Sequence, residues 1–333
     1  MKVHDLPTPA LVVDGAGFEQ NLAAMAAALP AGRCRPHVKA HKTTALARRQ
    51  AEIGHRAFCA ATPREIVGMA AAGLGDDLLL ANETVDRDRL RAMAECDARV
   101  TVAVDSPETV AAAAESGIGE VLVDVDVGLP RCGCAPEDAG GIADLARAAG
   151  MTVRGVMGYE GHVVGNDDRA WRIEQTERSM TKLRTAYDVV GGDVMSGGGT
   201  GTFDINTWCN EIQAGSYALM DTAYAKLGLP FRQVLWVEAT VVSTSARGWF
   251  VADCGLKSLG MDHGDPSVDF GEVLFCSDEH VTIRPEPGHA PRVGDRVRIW
   301  PAHVDPTVAL HERMHVVDGA DVIDTWAVDL RGW

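Results

Sequence analysis

The stretch RPHVKAHKT, residues 35–43, gathers an arginine, two lysines and two histidines in a chain whose formal net charge is -16. Two chemistries suit such a cluster. One is a solvated basic turn. The other is a reactive amine, because a lysine in a partly desolvated pocket beside other cations has its ammonium form disfavoured and becomes a nucleophile toward carbonyl carbon. Lys39 is the candidate. It follows the apolar run PHV, which places it at a strand end, with Arg35, His37, His41 and Lys42 as neighbouring cations. An ordinary surface lysine fits the local pattern as well.

Five further stretches carry chemistry. In MSGGGTGTF, residues 195–203, glycines interleaved with Thr present backbone N–H groups able to hold a phosphate. The spacing is neither a dinucleotide fingerprint nor a P-loop, since no Gly-Lys-Ser/Thr follows, and a plain loop reads the same way. QAGSYALMD, residues 213–221, follows the next expected strand and offers a second helix N-terminus. Tyr159 in GYEGH falls at another strand end, where a phenol donates to an aromatic nitrogen of a ligand or to a backbone group of the core. Arg131 in GLPRCG has the same ambiguity. In PAHVDPTVALHERMH, residues 301–315, His303 and Asp305 stand two apart on an expected strand and so on one face. A same-face His and carboxylate hold a divalent cation with water completing the shell, or form a hydrogen-bonded surface pair. Cys132 and Cys134 share this spacing but lie in a Gly/Pro loop and read poorly as ligands.

The elements that must position these residues alternate over the first two thirds of the chain. Short apolar runs (ALVVD, RAFCAA, DLLLAN, RVTVAVD, EVLVDVDVG, TVRGVMGYEG, DVMSGG, EIQAG) are separated mostly by Ala-rich or polar helical runs. Continuous apolar strands point to a parallel sheet buried on both faces. About eight such units predict an α/β fold with a (β/α)8 TIM-like barrel over residues 1–230. An open doubly wound sheet is the alternative. After Pro230 the pattern changes to period two, broken by Gly, Pro and Asp, which predicts a C-terminal all-β domain over 231–333.

Composition narrows the function classes. The acidic balance argues against a nucleic-acid surface, which needs clustered Lys and Arg. No run of eighteen apolar residues predicts a membrane span. MKVHDLPTPALVVD lacks the basic and apolar regions of a secretory leader, and the eight cysteines form no C-x-x-C pair. Reduced thiols and a cytoplasmic location are expected.

Together, TPALVVD, RPHVKAHKT, GYEGH, SGGGTGT, AGSYALMD, DCGLKSLGMD and PAHVDPTV resemble the D-threonine aldolase and D-serine dehydratase group of fold-type III, alanine racemase-like, pyridoxal phosphate enzymes. The resemblance runs nearly end to end. It implies that Lys39 carries pyridoxal 5'-phosphate, with Lys42 as a second lysine nearby. Tyr159 would face the pyridine nitrogen and Arg131 the ring and its O3′. Gly199, Thr200, Gly201, Gly215, Ser216 and Tyr217 would hold the phosphate. His303 and Asp305 would hold a metal at the substrate's β-hydroxyl, and His162 is the candidate base.

Dehydratase-like members pair the His with a Cys, which suits zinc. A carboxylate such as Asp305 is a hard ligand and favours Mn, Mg or Ca. The implied reaction is retro-aldol cleavage of a D-3-hydroxy amino acid, a small-molecule substrate, to glycine and an aldehyde. Dehydration of the same substrates, racemisation and a non-catalytic cofactor carrier are the alternatives. A homodimer is implied as well. The chain departs from typical members in being shorter and in the stretch GMDHGDP after Lys257, where the residues ahead of the second Asp differ from the usual pattern.

Overall fold

The computed structural model describes residues 1–30 and 32–333. The chain divides into two compact units, one of Met25–Lys39, Leu46–Gly215 and Gly332–Trp333, the other of Met1–Ala24, Ala40–Ala45 and Ser216–Arg331. The first strand, β1 (Ala10–Asp14), belongs to the second of these.

The first unit is the parallel one. Its strands are β2 (Ala57–Ala60), β3 (Asp77–Leu80), β4 (Val100–Val104), β5 (Glu120–Asp124), β6 (Thr152–Gly158), β7 (Val194–Gly197) and β8 (Glu211–Ile212), paired in that order. Cys59, Leu79, Ala103, Leu122, Met157 and Val194, one from each of β2 to β7, pack as a single buried cluster. Helices return the chain between strands, and their starts follow local chemistry. Ser106 accepts from Thr109 N ahead of Pro107–Glu115, and Asp168 accepts from Ala170 N and Trp171 N ahead of Arg169–Val190.

The stretch from Cys34 to His37 joins the two edges of this sheet. Cys34 bridges Ile212 and His37 bridges Cys59, both in parallel. Arg35 N donates to Ile212 O and Cys59 N to Pro36 O, each at 2.9 Å. The ring therefore has its eighth stave, as the barrel reading requires, but the stave is not ALVVD. That run leaves the barrel as β1; the stave, Cys34–His37, carries Arg35 and His37 and does not read as an apolar strand, and periodicity does not name a strand's partner.

The N-terminal end of the ring is charged. Arg35, 1% exposed, places Nη2 at 2.7 Å from Glu211 Oε1 and 3.0 Å from Asp77 Oδ2. Arg154 Nη1 lies 2.9 Å from Asp77 Oδ1 and 2.8 Å from Thr101 Oγ1. This corrects the reading of Arg35 as one of the cations that activate Lys39: its charge is taken up by two carboxylates.

In the second unit β1 pairs antiparallel with β9 (Leu235–Ser245). The remaining strands are β10 (Trp249–Ala252), β11 (Ser267–Val268), β12 (Gly271–Cys276), β13 (Val281–Pro285), β14 (Arg296–Trp300), β15 (Arg313–Asp318) and β16 (Asp321–Ala327). The order β10-β13-β12-β11-β14-β9 together with the β10–β9 pairing makes a ring of six, all antiparallel, and β1, β15 and β16 extend it from β9. The C-terminal region is built of antiparallel strands; burial alternates in β10 and β14, whereas the first five residues of β9 are buried in succession. Among the described residues no helix is long and apolar enough to cross a membrane.

Candidate active site

At the C-terminal ends of the parallel strands the first unit assembles several predicted residues. Lys39 is half-buried in the one-turn 3₁₀ segment Val38–Ala40, directly after the closing stave, with its backbone N 3.4 Å from His37 Nδ1. Tyr159 is half-buried just past β6, with the Arg131 guanidinium carbon 5.7 Å from its ring centroid. Arg131 itself is exposed. His162 is also exposed, and its ring lies where a Cβ on Gly128 would stand, 2.9 Å away.

The glycine turn after β7 is built tightly. A Cβ on Gly201 would come within 1.8 Å of Val164 O, so only glycine fits there. One on Gly199 would meet the Tyr159 ring at 3.2 Å, which puts phenol and turn side by side. Glu160 holds the turn from beneath. Fully buried, its carboxylate accepts from Gly198 N at 3.0 Å, Thr202 Oγ1 at 2.9 Å and Asn206 Nδ2 at 3.1 Å. Gly199 N donates to Thr202 Oγ1 at 3.1 Å. The amides of Gly198 and Gly199 are thus engaged within the turn, so an anion would be met at its Thr200–Gly201 end. Glu160 was not singled out in the sequence. Its only signal is a carboxylate between Tyr159 and Gly161 where a solvated residue is the ordinary expectation.

A second acidic feature lies at the same strand ends. Asp124, the last residue of β5, is buried, and its carboxyl is held well above the usual carboxylate range by that burial and then by the neighbouring Glu83 carboxylate, against the pull of Arg131. The Cys132 and Cys134 thiols are each pushed up to about 12, chiefly by burial, which keeps them protonated and poor metal ligands.

Gly215 ends the first unit after β8 and is buried. In the second unit, Ser216 and Tyr217 belong to a three-residue 3₁₀ turn, Ser216–Ala218, so the second helix N-terminus expected here is only a turn. Tyr217 is fully buried with its ring 5.6 Å from Phe231.

His303 and Asp305 are brought together, though not by a strand. His303 is the N-cap of the helix Val304–Leu310 and Asp305 lies in its first turn. His303 Nε2 stands 3.9 Å from Asp305 Oδ1, and Ser216 Oγ donates to the same oxygen at 3.4 Å. The helix start is fixed by Asp221, whose Oδ2 accepts from Val304 N at 2.9 Å and whose carboxyl is raised by burial. Two residues of the GMDHGDP stretch, given no site role in the sequence reading, adjoin this pair. Asp262 Oδ2 is 2.7 Å from His303 Nδ1, and the His263 ring stacks on the His303 ring with centroids 3.8 Å apart. Asp262, His263 and His303 offer ligand atoms within 4.8 Å of one another.

The chain matches the family model of the alanine racemase N-terminal domain over residues 13–223, and that of a serine dehydratase domain over 235–317. It is 35% identical to a D-threonine aldolase of Arthrobacter sp, covering 98% of this chain and 93% of that protein. It is 30% identical to the 3-hydroxy-D-aspartate aldolase of Paracoccus denitrificans (strain Pd 1222), covering 100% of this chain and 94% of the relative. Among solved structures, D-threonine aldolase from Filomicrobium marinum superposes with a TM-score of 0.93 at 30% identity, over 99% of this chain and 97% of that one. The chain belongs to the alanine racemase-like family, in its D-threonine aldolase and D-serine dehydratase branch.

Proposed function

We propose that this protein is a pyridoxal phosphate-dependent lyase that cleaves D-3-hydroxy amino acids to glycine and an aldehyde with the help of a divalent cation. The observation that carries the reading is the pair of His303 Nε2 and Asp305 Oδ1, 3.9 Å apart. That span is within reach of two bonds of about 2.1 Å to one ion, and the carboxylate donor suits Mn, Mg or Ca over Zn. The full-length likeness to two aldolases supports it. The glycine turn supports the cofactor, since Gly201 lets the turn pack against Val164 O with its Thr200–Gly201 end available to an anion.

When bound, pyridoxal phosphate supplies an electron sink for breaking the Cα–Cβ bond, and a divalent cation supplies Lewis acidity at the β-hydroxyl. In this proposal Lys39 provides the anchoring amine, and Tyr159 donates its hydroxyl to the pyridine nitrogen. Arg131 would lie near the cofactor ring and its O3′. The Thr200–Gly201 end of the turn, with Gly199, Gly215, Ser216 and Tyr217, holds the phosphate. His162, exposed in the turn that follows β6 and Tyr159, is assigned the base. The proposal includes a homodimer in the cytoplasm, in keeping with eight free thiols.

The test is to strip the protein with EDTA, restore Mn, and measure glycine and ammonia separately with D-threonine and D-3-hydroxyaspartate. Glycine is expected, dependent on added metal, and Asp305→Ala should lose on the order of 10²-fold in rate, about 2.7 kcal/mol. Ammonia and a keto acid without glycine would replace the aldolase reading by the dehydratase one. Full activity after rigorous metal removal would remove His303 and Asp305 from the chemistry.

A further inference from the structure

The loop that precedes β11 is pinned onto the start of the Val304–Leu310 helix. Gly260 forms an antiparallel bridge with His303. Its N–H donates to Thr307 Oγ1 at 2.9 Å, and that hydroxyl donates to His303 O at 2.7 Å. His311 Nε2 meets Ser258 O at 2.9 Å. A Cβ on Gly260 would sit 2.2 Å from Pro306 Cγ, so the close approach depends on glycine. These contacts carry the next residues, Asp262 and His263, to the His303 ring.

We propose that Asp262 and His263 are positioning residues that fix the tautomer and the plane of His303, leaving Nε2 turned to Asp305 for a divalent cation. This inference rests on the assignment of His303 and Asp305 to the metal. A carboxylate is an acceptor only, so the 2.7 Å contact to Asp262 Oδ2 places the proton on Nδ1. The lone pair is then on Nε2, the nitrogen that faces Asp305. Carboxylates bonded to the far nitrogen of a ligating histidine orient the ring and raise its basicity. His263 stacks on the ring with 8° between the two planes and 3.8 Å between centroids, and blocks rotation of that face.

The competing reading makes Asp262, His263 and His303 one ligand set. Ring geometry argues against it. Imidazole lone pairs lie in the ring plane, and those of two parallel stacked rings run side by side and do not converge on one ion. His303 Nδ1 is in addition already occupied by Asp262.

The experiment uses cofactor-loaded protein freed of metal by chelation and titrated with Mn²⁺, the free ion being read by electron paramagnetic resonance. Asp262→Ala should weaken Mn²⁺ binding about 10- to 100-fold. Asp262→Asn, which retains an acceptor for Nδ1–H, should recover most of it. His263→Ala should weaken binding by a few-fold on the order of the lower end of that range, and His263→Phe, which stacks but cannot ligate, should restore it. In the metal-free protein, ring ¹⁵N shifts of His303 should report a proton on Nδ1, lost to a tautomer mixture in Asp262→Ala. Both residues are exposed, so the fold is not at stake. Unchanged Mn²⁺ affinity in Asp262→Ala, with binding lost in His303→Ala and Asp305→Ala, would overturn the positioning role while the metal assignment stands. His263→Phe as weak as His263→Ala would make His263 a ligand and overturn the stacking role. Wild-type affinity in His303→Ala would overturn the metal assignment itself.

Discussion

At the N-terminal end of the parallel ring, Arg35 and Arg154 meet Asp77, Glu211 and Thr101 at hydrogen-bond distance, whereas at the C-terminal end Asp124 is buried beside a second carboxylate, Glu83. The outcome for the acids is opposite. Burial pushes the Asp77 carboxyl up, but hydrogen bonds from Arg154 and Arg35 and their charges outweigh it and hold it down at about 2. Asp124 is driven the other way. The first end is a charge-matched network that ties several strands together. The second keeps charge incompletely matched on the face where Lys39, Tyr159 and the glycine turn lie, the arrangement expected of a barrel's functional face.

Breaking the comparison at its functional end should have the largest effect. Lys39→Ala should lose the cofactor's absorption band and at least about 10³-fold of activity, about 4 kcal/mol, with the urea midpoint of the apoprotein nearly unchanged. A retained band on another lysine, mapped after borohydride reduction, would refute the assignment. Next is the paired end. Asp77→Ala leaves two buried guanidinium groups short of a partner and should cost about 3 kcal/mol in urea unfolding, with activity per folded molecule preserved.

The pH dependence of the two ends should also differ in sign. Asp77 is depressed on folding, so its contribution is present above the unfolded pKa of about 4 and is lost as pH falls toward about 2. Asp124 is raised on folding, so it binds a proton in the folded state that the unfolded state has released, and stability falls as pH rises from about 4 upward.

A smaller effect belongs to the turn. Glu160→Gln turns an amide donor toward a group of donors and should weaken pyridoxal phosphate binding to the apoprotein about tenfold, or ~1.4 kcal/mol, read by fluorescence titration. Unchanged affinity would show that the turn needs no latch. The smallest effect sharpens the contrast. Asp124→Asn removes the group that disfavours folding at neutral pH and should raise Tm at pH 7, with the gain shrinking as pH falls. A lower Tm at pH 7 would mean that its carboxyl carries an interaction needed by the fold.

Strand texture, helix caps and the change from parallel to antiparallel character are local properties, and they were legible. The placing of Lys39, Tyr159 and the 195–203 turn at strand ends was legible too, because each stands at the close of a short run that the ring uses as a strand. The placing of ALVVD was not legible: its partners lie far along the chain in β9 and β15, and the Cys34–His37 stave that takes its place carries Arg35 and His37 and does not read as an apolar strand. The nearness of His303 and Asp305 was expected from a strand and comes instead from an N-cap and its first turn, which bring i and i+2 together as well.

What the sequence by itself determined is therefore the family, the alternation of elements and the residues whose types carry chemistry. Tertiary structure alone decided which groups support them. Glu160 reaches the amide of Gly198, 38 positions away, and Asp262 reaches His303 across 41. No periodicity records such contacts. Hydrogen bonds and ring stacking form wherever the folded backbone brings donor and acceptor within about 3 Å, and that approach is set by how strands close into rings, by Gly201 against Val164 and by Gly260 against Pro306.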